Sequence, residues 1–127
     1  MSDYTIKNLK ADVDDAAPKF DMSPEVEARF ARETLDLGKL GLSYQRLAPN
    51  ARMPFGHKHT AQEEVYVILE GSGRVKIEDD VKEVAQWDAI RVGPAETRAF
   101  EAGEDGLSFL AVGAGEKNDA EMIQGWW

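Results

Sequence analysis

From position 41 onward apolar and polar residues alternate with a period of two, and turn-forming residues break the alternation roughly every eight to twelve positions. Successive side chains of a strand point to opposite faces, so this rhythm predicts short strands that bury one face against a shared core. The strands fall at residues 42–47, 65–69, 74–78, 81–84, 89–92, 97–101 and 107–112. Gly71-Ser72-Gly73 and Asp79-Asp80 read as tight reversals, because these residue types tolerate the backbone angles that turns require. No internal repeat, no low-complexity tract and no strand–helix alternation interrupts the pattern, which points to an all-β barrel or sandwich.

The first forty residues read differently. A short extended segment at residues 4–9 leads into a polar connector at 10–20. Ser23-Pro24-Glu25 then combines a capping side chain, a proline at the first helical position and an acid in the first turn. With Val26 and Phe30 one helical turn apart, the expectation is a short helix that ends before Gly38. The organisation expected is residues 1–40 as a strand and helix packing on a barrel of residues 41–127, in one structural domain overall.

Charge narrows the partners. The 24 acidic and 15 basic residues leave a net charge of −9, the wrong sign for neutralising nucleic-acid phosphates or docking on an anionic membrane. No apolar run approaches the ~18 residues that span a bilayer, and the start lacks the basic and hydrophobic regions of a secretory signal. A cytoplasmic location is therefore expected. Cysteine is absent, which excludes disulfides, thiolate catalysis and cysteine-based zinc sites.

The chemistry concentrates in Gly56-His57-Lys58-His59-Thr60-Ala61-Gln62-Glu63-Glu64. His57 and His59 are the only histidines, and in a strand residues two apart share a face. Glu64 opens the next apolar run and can bring a carboxylate to the same point. Two imidazoles and a carboxylate suit one divalent iron, manganese, nickel or zinc ion. The plainer reading is a pair of surface histidines beside a solvated acidic patch, Gln62-Glu63-Glu64.

With these residues in place, the chain resembles the cupins, small jelly-roll barrels built around two short motifs. The first runs glycine, five residues, His-x-His, three or four residues, glutamate, six residues, glycine. His57, His59, Glu64 and Gly71 fall on it, with Ala51 at the opening glycine; Glu63 would satisfy the shorter spacer, but only Glu64 keeps six residues before Gly71. The second motif departs from the family pattern: Trp87, Gly93, Ala95 and Ala102 stand at its glycine, proline, glycine and asparagine positions, and Arg98 at its histidine. The resemblance implies a double-stranded β-helix, the cupin jelly-roll barrel, with a short N-terminal helix, and a homodimer formed through sheet edges.

In that family the second-motif histidine usually supplies a fourth metal ligand, whereas arginine has no lone pair and stays charged. Two outcomes follow. Either His57, His59 and Glu64 hold a metal as a three-ligand set, with Arg98 anchoring an anionic ligand, or the guanidinium pairs with Glu64 and no metal is needed. A dication and an arginine ~4 Å apart repel by about 8 kcal/mol at an effective dielectric of ~20, which disfavours close co-occupancy without forbidding it. Glu96, two residues from Arg98, either neutralises it or lines the pocket mouth. Tyr66 shares the strand parity of Glu64 and is a further candidate ligand contact, although aromatics facing into small barrels are core far more often. Trp87 is expected to pack against a neighbouring strand, and Trp126-Trp127 to dock on the barrel or on a second subunit. The functional expectation is a small-molecule-binding cupin, in one version a metal-dependent dioxygenase- or isomerase-like enzyme, in the other a metal-free binding or sensing module.

Overall fold

The computed structural model describes residues 2–115 and 119–127. It contains eight strands: β1 Val26–Phe30, β2 Leu40–Leu47, β3 Phe55–His59, β4 Glu63–Ile77, β5 Asp80–Ala85, β6 Ala89–Val92, β7 Arg98–Ala114 and β8 Ala120–Gln124. All pair antiparallel in a single curled sheet. β7 is the hub, paired with β2, β3 and β4, while β4 also carries β5 and β6. The inward faces close on a core that includes Leu47, Tyr66, Ile68, Val75, Leu107 and Phe109. Tyr66, Phe100 and Phe109 pack ring to ring at centroid separations of 4.5–5.7 Å. This is the all-β barrel that the period-two pattern predicts.

The residue-level differences have physical reasons. The predicted strands 65–69 and 74–78 are one strand, and 97–101 and 107–112 are another. Gly71-Ser72-Gly73 is therefore no reversal: β4 runs through it against β7, with register shifts between Ile68 and Glu70 and between Gly71 and Gly73. Such irregularities bend a strand without ending it. Gly71 and Gly106 both take positive φ, 80° and 79°, so the two long strands bend together. A Cβ on Gly71 would lie 2.0 Å from the Gly106 carbonyl oxygen; glycine is required for this approach. The reversal that does occur, between β4 and β5, turns on Glu78 (φ 50°) and Asp79.

The N-terminal helix is replaced by β1. Residues 26–30 alternate inward and outward, with Val26 and Ala28 buried. Glu27 faces Arg46 across the β1–β2 ladder and pairs with both Arg46 Nε at 3.1 Å and Arg29 Nε at 2.6 Å. Two apolar positions a turn apart are a weak helical stripe beside a full ladder of cross-strand bonds, and tertiary pairing overrides the local helix-start signal. The only helical turn described is a 3-10 turn at Ala17–Phe20. Residues 2–8 form no strand, and Tyr4 and Ile6 are exposed.

The two aromatic expectations divide. Trp87 does not pack against a strand: it is 71% exposed with φ 74°, because it occupies a left-handed turn position that points its side chain outward. Trp126 and Trp127 dock on the barrel, with Lys76 Nζ 4.4 Å from the Trp126 ring centroid and the Arg52 guanidinium 4.8 Å from that of Trp127. They follow β8, which pairs with the histidine strand β3 and, like β1 and β3, is missing from the predicted strands. Gly71→Ala is expected to lower unfolding free energy by about 2–3 kcal/mol in urea titrations, through backbone strain and the carbonyl clash. Gly93→Ala, where a Cβ meets nothing within 4 Å, should stay within about 0.5 kcal/mol of the parent.

Candidate functional site

Strand β3 carries His57 and His59, and the first residues of β4 carry Glu64. Because the sheet curls, Glu64 meets both imidazoles: His57 Nε2 and His59 Nε2 each lie 3.2 Å from Glu64 Oε1. The three ligand atoms fall within 4.8 Å of one another. His57 stands directly opposite Arg98 in the β3–β7 ladder, so the position that departs from the second cupin motif joins the same cluster. The Arg98 side chain is fully buried, and its Nη2 donates to Glu64 Oε1 at 2.9 Å. Its Nε donates to the Tyr66 hydroxyl at 3.1 Å, and its Nη1 to the Glu96 carbonyl at 2.6 Å. Tyr66 in turn donates to Glu64 Oε1 at 2.6 Å.

Burial alone would push the Glu64 carboxyl up. His57, His59 and the Tyr66 hydroxyl outweigh that effect and hold it far below the ordinary carboxylate range, so Glu64 is an anion. The Tyr66 hydroxyl is driven well above its ordinary value, first by burial and then by the Glu64 charge, and remains a donor. His59 is raised: burial opposes its protonation, but the Glu64 and Asp119 carboxylates prevail.

Asp119 is the site residue with no signal in the motif spacing. It lies just before β8, sixty positions from His59, and its Oδ1 sits 2.6 Å from His59 Nδ1. Its Oδ2 accepts from the backbone amides of Ala61 and Gln62, both at 2.9 Å. These bonds hold Asp119 below its ordinary value against the effect of burial. Facing a carboxylate, Nδ1 of a neutral His59 carries the proton, and Nε2 is left as a lone pair. In that state Nε2 is buried without a hydrogen-bond partner, 3.2 Å from Glu64 Oε1, an acceptor that pairs with it only when the ring is protonated. A buried acceptor without a donor, aimed at a second imidazole and a carboxylate, fits a metal ion. The donor set fits as well: two imidazoles and a carboxylate are a set that divalent iron, manganese, nickel or zinc accepts, and their ligand atoms lie within 4.8 Å of one another.

The three residues open onto a cleft of about 570 Å³. It runs past Met53, Phe55 and Met122 to Ala28 and Phe30 on β1, with Ser43, Gln45 and Gln62 also on its wall. The expected ligand contacts are placed elsewhere. Arg98 and Tyr66 are sealed in the core behind Glu64, and Glu96 is exposed and reaches the cluster through its carbonyl oxygen alone. The structure thus gives Arg98 the part of holding Glu64.

No family model matches the sequence, and no curated protein matches it. Solved structures do match. A cupin protein from Bacteroides fragilis is 24% identical, over 93% of this chain and 89% of that one, with a TM-score of 0.74. The polyketide cyclase RemF from Streptomyces resistomycificus is 25% identical, over 82% and 73%, with a TM-score of 0.65. Oxalate decarboxylase from Bacillus subtilis is 24% identical, over 76% of this chain and 27% of that longer one, with a TM-score of 0.63. The chain folds as a small cupin domain. Among the described residues no helix is long and apolar enough to cross a membrane.

Glu64→Gln should destabilise the protein by about 3–5 kcal/mol at neutral pH, because Arg98 is left buried without its counter-charge. The Glu64 contribution is present above the ordinary carboxyl value of 4.5 and is lost as pH falls toward its lower folded value. The gap between parent and variant in urea titrations should therefore narrow progressively below about pH 4.5.

Proposed function

We propose that this protein binds one divalent cation through His57, His59 and Glu64 and acts on a small organic molecule held beside it in the cleft. The observation that carries this reading is the buried, unpartnered Nε2 of His59, whose ring is fixed from behind by Asp119. A carboxylate that orients a histidine in this way both sets the tautomer and raises the basicity of the coordinating nitrogen. Every contact of the Glu64 side chain among the described residues is made by Oε1, so Oε2 is uncommitted. A cation on three protein ligands keeps open positions and can polarise a carbonyl or activate dioxygen, chemistry suited to an isomerase- or dioxygenase-like enzyme. The cleft supplies the place for substrate beside the three ligands. That solved enzymes, a polyketide cyclase and an oxalate decarboxylase, have this fold is consistent with a catalytic use of the barrel, although fold alone assigns no chemistry.

A second reading rests on the Arg98–Glu64 pair at 2.9 Å. In it the guanidinium supplies the positive charge that a cation would, the histidines are neutral or share protons with Glu64 and Asp119, and the protein is a metal-free binding or sensing module.

Elemental mass spectrometry of untagged protein separates the two. The metal reading expects near-stoichiometric iron, manganese, nickel or zinc that disappears in His57→Ala, with a fall in Tm on chelation because a ligand of the native state stabilises it. It also expects Asp119→Asn to weaken zinc binding about 10–100-fold. A metal-free parent whose Arg98→His variant acquires metal would favour the second reading.

A further inference from the structure

The cleft holds polar groups that the candidate metal centre does not use. Ser43 and Gln45 on β2 and Gln62 between β3 and β4 are 6%, 9% and 8% exposed, and all three line the cleft. Gln45 Nε2 donates to Ser43 Oγ at 3.1 Å. Among the described residues Gln45 Oε1 has no hydrogen-bond partner, nor does either amide atom of the Gln62 side chain. These amide atoms are not among the fully buried unpartnered ones; the three side chains face the cleft, where water or a ligand can reach them.

The backbone makes room for the Gln62 amide. A Cβ on Gly113 would fall 2.8 Å from Gln62 Cδ, and one on Gly41 would fall 3.6 Å from Gln62 Nε2. Two strands thus have glycine where they flank this side chain. The apolar part of the wall is formed by Ala28, Phe30, Met53, Phe55 and Met122, beside a polar part that includes Asp14, Arg32 and Thr34. No lysine or arginine on the wall is buried: Lys19 is exposed and Arg32 half-exposed, while Arg98 stays behind Glu64. A small dicarboxylate would find no fully buried cation for its second charge, only Arg32, whose Nη2 already donates to the Gly115 carbonyl. A volume of about 570 Å³ lies within the roughly 300–1,000 Å³ of pockets for drug-sized molecules.

We infer that the cleft recognises a largely apolar, ring-sized molecule bearing ketone and hydroxyl groups, with Gln45 and Gln62 pairing those groups and Phe30, Phe55, Met53 and Met122 enclosing its body. The inference deepens the metal reading, and rests on it only for the ligand oxygen placed beside His57, His59 and Glu64. Amides suit this task because each offers both a donor and an acceptor. A site built to pair a ligand oxygen also rejects analogues that leave its buried amides unpaired.

Calorimetric titration of the full chain tests the inference, with ortho-hydroxyacetophenone as the probe and oxalate and succinate as comparators. On EDTA-treated protein the probe should bind about tenfold more tightly than either dianion. Gln62→Leu and Gln45→Leu should each weaken it about three- to tenfold, the loss of one hydrogen bond. The discrimination between probe and dianions is read on the parent protein, so it stands even if a variant fails to fold. Dianions that bind as tightly as the probe, or folded variants that bind it unchanged, would overturn the inference. Zinc-loaded protein keeps the two readings apart. Glutamine-dependent binding that zinc does not strengthen would sink the metal role and leave the cleft intact. Zinc that raises Tm while probe affinity ignores both glutamines would do the reverse.

Discussion

The structure turns on one buried charge. The Arg98 side chain is fully enclosed, and an enclosed guanidinium is tolerable only when its donors meet acceptors and its charge meets an anion. Glu64 from the start of β4 gives the anion, Tyr66 the hydroxyl, and the chain just before β7 the carbonyls of Pro94 and Glu96. These partners come from two places along the sequence, the start of β4 and the turn before β7, and Glu64 meets Arg98 only once the sheet has curled. Closing the barrel and building the site are therefore the same event.

That constraint also orders the site. Arg98 and Tyr66 both hold Glu64 through Oε1 from within the core, while His57, His59 and Glu64 face the cleft. An arginine at the fourth ligand position thus acts on the carboxylate rather than in the space before it. Its charge is met by Glu64, and Asp119 adds a second anion at the far side of His59. A divalent ion added to Arg98, Glu64 and Asp119, with both histidines neutral, leaves the cluster at one positive charge. One anionic oxygen from a ligand would bring that to zero, which a partly buried site tolerates better.

The sequence made legible what depends on local spacing. The His-x-His pair, Glu64 and Gly71 announce the barrel and three residues of the site, and residues 89–92 form a strand as the alternation requires. What spacing cannot convey is a choice made by distant partners. Val26 to Phe30 satisfy a helical reading and a strand reading alike, and it is Arg46 and the β2 ladder that select the strand. Gly71 looks like a reversal until Gly106, thirty-five residues on, is seen to bend with it. Asp119 was silent for the same reason: a single aspartate in a chain rich in acids becomes a site residue only because β8 pairs with β3.

The same logic explains why ligand recognition was the least legible part. Charged residues advertise themselves, so Arg98 and Glu96 drew attention as contacts, yet a buried arginine already satisfied by a carboxylate, a phenol and carbonyls has little left to offer a ligand. The groups with capacity to spare are neutral: Gln45 on a strand read only for its apolar face, and Gln62 in a stretch read as an acidic patch. Lining a cleft makes such residues recognition elements, because an amide largely shielded from solvent gains more from a matched partner than an exposed one. In a chain whose net charge is −9, neutral donors and acceptors inside an apolar wall also select by shape and pairing where the field of the protein would repel multiply charged anions.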